Sequence, residues 1–123
     1  MIQILPTDHP SSVVVRVSGD LSGVQSAAAL AALSQMAREH GSVALLVDLA
    51  DADARDPAAL RVHVAAVLAS THRIRTLAIL GRGPWADELV AHARKHTRAS
   101  VRRFDPDARG AARAFVTRPA MTA

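Results

Sequence analysis

Apolar residues along this chain fall into five short runs and four longer stripes of helical period, separated by turn-forming and charged residues. Ile2 to Leu5 reads as a short strand closed by Pro6, which has no N–H to give a ladder, and Thr7 to Ser11 is rich in turn formers. Val13 to Val17 (VVVRV) is a second strand, and two strands joined by so short a polar turn predict an antiparallel hairpin. Gly19 and Asp20 end it. Ser22 and Gln25 have the spacing of a capping box, and Val24, Ala27, Ala28, Leu30, Ala31 and Leu33 carry a helical stripe toward His40, with Gly41 as the C-terminal stop.

The middle of the chain organises the rest. Ser42 to Leu49 (SVALLVDL) is a continuous apolar run closed by a carboxylate and a leucine, the pattern of a central strand covered on both faces. Ala50 to Asp56 reads as a loop, with Asp56 as N-cap and Pro57 as first helical residue of a helix reaching about residue 71. Thr76 to Leu80 (TLAIL) is a second buried run, and the 57–71 helix is its crossover. A glycine-rich turn, a helix over Trp85 to Lys95 and an edge strand over Ser100 to Phe104 follow. Asp105 and Pro106 repeat the cap of 56 and 57 and open a last helix through Val116. The order is ββαβαβαβα: one α/β domain over 1–117 with a mixed, mostly parallel sheet of about five strands and about four helices, followed by a flexible tail over 118–123.

Composition narrows the function. The 123 residues contain no cysteine, no secretory pattern opens the chain, and no run of about 18 apolar residues occurs, so the expectation is a cytoplasmic protein without disulfides. Residues 1–71 carry four arginines against seven acids, whereas 72–123 carry ten arginines and Lys95 against four. A basic half could meet an anionic partner, but fourteen arginines to one lysine in an alanine-rich chain read rather as a solvated surface. Trp85, Phe104 and Phe115 are the only aromatic residues, which leaves no stacking platform and excludes nucleic acid from the expected partners.

Candidate chemistry is sparse. Asp48, Asp51, Asp53 and Asp56 lack the terminal Glu and central Gly of a calcium loop and read as a solvated turn. Glu88, His92 and His96 lie on one helical face but span too far to hold one ion, so no metal and no cofactor is expected. With no Cys, no Gly-x-Ser-x-Gly and no paired acids, the chain reads as a non-enzymatic binding module. The helix from Pro57 is apolar almost all round: Leu60, Val64, Val67 and Leu68 can face the sheet, leaving Val62, Ala65, Ala66 and Ala69 to be covered by something else. A groove between this helix and that of residues 85–95 is expected to take an apolar or amphipathic, lipid-like molecule or a membrane surface. Its site residues are Asp56, Leu60, His63, Val67, Arg82, Trp85 and Leu89, with Arg82 in GRGPW placed to hold an anionic head. A second subunit, giving a homodimer, or another protein would cover the same face.

Three segments, VRVSGDLS at 15–22, LLVDLADADARDPAAL at 45–60 and VRRFDPDARGAARAFV at 101–116, give the chain a resemblance to the SpoIIAA-like family and, more distantly, to the STAS domains of anti-sigma-factor antagonists. The resemblance implies a STAS-like fold. In the antagonists a serine after the aspartate that caps the second helix is phosphorylated, which releases the anti-sigma partner. Pro57 stands at that position, followed by Ala58, and neither has a hydroxyl. The family also looks similar to the CRAL-TRIO lipid carriers, which favours the lipid-like ligand. A protein-binding regulatory module without the phosphorylatable serine is the alternative.

Overall fold

A computed structural model describes residues 2–19, 23–52 and 73–117. The hairpin forms as its turn chemistry requires: β1 (Ile2–Pro6) runs antiparallel to β2 (Ser12–Gly19), with Ile4 opposite Val15. Thr7 ties the turn by donating its hydroxyl to the His9 and Ser12 carbonyls at 3.1 and 2.9 Å. Helix α1 (Gly23–His40) ends at Gly41, whose φ of 80° suits a residue without Cβ and whose N–H donates to the Ala37 carbonyl at 2.9 Å.

Strands β3 (Val43–Ala52) and β4 (Ile74–Leu80) follow, then helix α2 (Pro84–His96), strand β5 (Ser100–Phe104) and helix α3 (Arg109–Thr117). The five strands lie in the order β1-β2-β3-β4-β5, and every pairing after the hairpin is parallel. The expected mixed, mostly parallel sheet is therefore present, with the 43–52 strand at its centre. The proposed crossover helix of 57–71 and the tail of 118–123 lie outside the described residues.

Strand alternation sends side chains to two cores. On one face Val13, Val15 and Val17 with Val43, Leu45, Val47, Leu77 and Ile79 pack against Leu33 and Ala37 of α1 and Leu89, Val90 and Ala93 of α2. On the other, Val14, Ala44, Leu46, Ala78, Leu80 and Phe104 pack against Ala112 and Val116 of α3. Phe104 and Phe115 meet as a tilted pair with centroids 5.7 Å apart, and the Arg102 guanidinium lies 5.2 Å from the Phe104 centroid. The buried Ser12 hydroxyl donates to the Val116 carbonyl at 2.7 Å, fixing the end of α3 to β2.

Three boundaries differ from the sequence reading. The 43–52 strand runs three residues beyond Leu49, because a bulge restores pairing of Ser18 and Gly19 with Asp51 and Ala52. β4 begins at Ile74 rather than Thr76, through a second bulge at Arg75. Asp105 and Pro106 do not open the last helix. The Asp105 carboxylate binds Arg103 at 3.0 Å instead of capping, residues 105–108 form a turn closed by the Ala108 N–H on the Asp105 carbonyl at 2.9 Å, and α3 starts at Arg109.

Candidate functional site

In a parallel α/β sheet, loops at the carboxyl ends of the strands form the usual binding edge. There β3 carries Asp48, which is 2% exposed. One carboxylate oxygen accepts the Ala50 N–H at 3.1 Å across the bulge; the other accepts Nε of Arg109, the first residue of α3, at 3.2 Å and lies 3.5 Å from Nε of Arg16 on β2. That Arg16 Nε is buried and makes no hydrogen bond, although the guanidinium beyond it reaches solvent. Asp48 is thus occupied by two arginines, which removes it from any cation-binding role. Among the described residues no three His, Asp or Glu side chains are grouped so as to hold a metal ion.

Beyond β4 the chain turns through Gly81, Arg82 and Gly83. Gly83, at φ 98°, stands at the N-cap of α2 without a side-chain cap, and Pro84 occupies the first turn. Arg103 of β5 clamps this turn: it donates to the Gly81 carbonyl at 3.2 Å and pairs with Asp87 of α2 and Asp105, each at 3.0 Å. Its hydrogen bond to Asp105, with help from Asp87, raises its already high pKa. Arg82 extends into solvent at the same edge.

Of the seven residues expected to form the ligand groove, Arg82 is exposed and Leu89 is fully buried in the core beneath α2. Trp85 lies in the first turn of α2, and its side chain is outside the described residues, as are Asp56, Leu60, His63 and Val67 altogether. The sequence reading missed the Asp48 cluster. Its signals are a single charge inside each of two apolar runs, Arg16 in VVVRV and Asp48 in SVALLVDL, which in a parallel pair come to lie opposite one another. It also missed Arg75, at the opposite end of the strands.

Fold and edge together define a single-domain α/β protein built on a mixed five-stranded sheet, with Asp48 and its arginines at the carboxyl ends of the strands and Arg75 at the amino ends. The chain belongs to the SpoIIAA-like family, whose model matches residues 12–117. No curated protein matches it, and no solved structure does. Among the described residues no helix is long and apolar enough to cross a membrane.

Proposed function

We propose that the protein is a regulatory module that binds another protein, in the manner of an anti-sigma-factor antagonist, with its partner released by something other than phosphorylation at residue 57. The observation that carries this is the family match over 12–117; the resemblance places Pro57 where the antagonists have their serine. Phosphoryl transfer needs a hydroxyl, and proline offers none. The lipid-like ligand has less behind it. Ala86, Leu89, Val90 and Ala93, the apolar side of α2, are buried against the sheet, so a groove would depend on residues 57–71 for its apolar wall.

Native mass spectrometry of freshly purified chain, together with crosslinking in lysate of the source cells, tests the proposal. The expected result is one stoichiometric protein partner whose retention ignores added nucleoside triphosphate and Mg²⁺ and is lost on Asp53→Arg, four residues before Pro57 in sequence. A co-purified lipid in place of a protein partner overturns it.

A further inference from the structure

Arg75 is the bulged residue of β4: Val43 pairs with Ile74 and Ala44 with Thr76, so the residue between them has no opposite number. A bulge re-aims a side chain. Here the guanidinium crosses the starts of β3 and β2, donating from one terminal nitrogen to the Ser42 carbonyl at 3.0 Å and the Ser42 hydroxyl at 3.1 Å, and from the other to the Ser11 hydroxyl at 2.8 Å. Ser11 is itself buried, and its backbone N–H and hydroxyl both lie against Nδ1 of His9, at 3.4 and 3.2 Å. Because an arginine only donates, the Ser11 oxygen accepts from Arg75 and turns its proton to His9, which makes Nδ1 the acceptor.

Every acceptor of Arg75 is neutral. Among the described residues no carboxylate reaches it, and burial lowers its pKa below the ordinary arginine value with no opposing charge to restore it. A cation partly withdrawn from water and bonded only to neutral acceptors gains a charge-assisted bond when an anion arrives. The fork still has Nε–H and one terminal N–H to offer. The neighbours add charge of the same sign: Arg73 is exposed two residues earlier, and Arg98 is exposed just before β5, where Thr76 pairs with Ser100. Neither has an ion-pair partner among the described residues. Of the acids near this pole, Glu39 is held by Gln35 at 2.9 Å and His40 at 4.0 Å, and Asp8 lies exposed in the hairpin turn.

We propose that this pole, at the amino ends of the parallel strands, receives carboxylates from an acidic segment of a partner protein, with Arg75 as the anchoring fork and Arg73 and Arg98 as flanking charges. The source of the carboxylates rests on the protein-binding reading above. The flanking cations precede adjacent strands, which lie about 5 Å apart, a spacing that suits successive side chains of an extended segment better than one small ion.

The test is an amide-resolved NMR titration of the full chain with hexaglutamate and, separately, with inorganic phosphate at matched ionic strength. Hexaglutamate is expected to move the Ser11, Ser42 and Arg75 amides saturably. Arg75→Gln should weaken binding about tenfold, and the paired variant Arg73→Gln/Arg98→Gln, which alters exposed side chains only and keeps the fold, should weaken it several-fold with a shallower salt dependence. Absence of a saturable shift, indifference to the paired variant, or saturation by phosphate alone overturns the proposal. The two readings fail separately. A captured partner whose binding ignores the paired variant overturns this surface alone; hexaglutamate binding by a chain that retains a lipid and no protein overturns the regulatory reading alone.

Discussion

Replacing Asp48 with Asn tests whether the buried carboxylate is what fixes α3 to the sheet. The asparagine oxygen can still accept the Ala50 N–H, but its amide then presents donors to the Arg109 and Arg16 Nε groups, which lie 3.2 and 3.5 Å from the present oxygen. Losing one partner of a fully buried ion pair costs about 3–5 kcal/mol. Here the two arginine side chains are 49% and 39% exposed and can turn toward water, so the loss falls toward that of a hydrogen bond to a charged group, about 2 kcal/mol. For a domain of this size that corresponds to a fall in Tm of roughly 8 °C. Urea unfolding at pH 7 should show a lowered midpoint with unchanged slope, and a double-mutant cycle with Arg109→Gln should give a coupling of about 1–2 kcal/mol that 0.5 M salt only partly screens. A variant within about 0.5 kcal/mol of the natural chain, or no coupling in the cycle, would refute the reasoning.

Other outcomes follow from single contacts. Leu77→Ala, at a fully buried position of β4, is expected to cost about 2–5 kcal/mol in the same urea assay, since the site is walled by both strands and helices. Ser12→Ala removes the 2.7 Å donor to the Val116 carbonyl and should cost about 1 kcal/mol, with faster amide exchange confined to the last turn of α3. Gly41→Ala meets no atom within 4 Å of the added Cβ, so its cost is that of the φ of 80° alone, about 1 kcal/mol. Pro57→Ser restores a hydroxyl beside Asp56; intact-mass analysis after treatment with a serine kinase should find phosphate on the variant at residue 57 and none there on the natural chain, while loss of a partner through phosphorylation of Ser70 or Thr71 would show the switch elsewhere.

Most of the fold was legible because its signals are local. The strand over Ser100 to Phe104 follows from a short run whose adjacent arginines mark an edge, and the stop at Gly41 from a residue tolerant of positive φ. The hairpin follows from a turn too short for a parallel return. The cap at Asp105 misled for a physical reason: an aspartate before a proline is a good helix start only while its carboxylate is free, and Arg103, two residues back on an exposed edge strand, offers a charged partner at 3.0 Å that a backbone N–H does not outbid.

The charged sites were less legible because both depend on bulges. Strand side chains alternate with a period of two, so a sequence reading assigns each residue a face by counting from the apolar core. In Ile74-Arg75-Thr76 that count reads a broken pattern and starts the strand at Thr76, where the apolar run resumes. The sheet instead keeps Ile74 opposite Val43 and lets Arg75 out of register, which frees its side chain to reach sideways to Ser42 and Ser11. At the other end, the extra residue after Asp48 brings its own backbone N–H onto the carboxylate and lets β3 continue, so a carboxylate that looked like the first member of an acidic loop becomes a buried strand residue facing two arginines. An inserted residue costs ladder bonds locally and survives where something else depends on the altered aim. For the Asp48 bulge that dependence is visible, as the anchoring of α3. For the Arg75 bulge the anchors are two serines, and the re-aimed fork still has donors to give, which is the physical ground for seeking its remaining acceptor on another molecule.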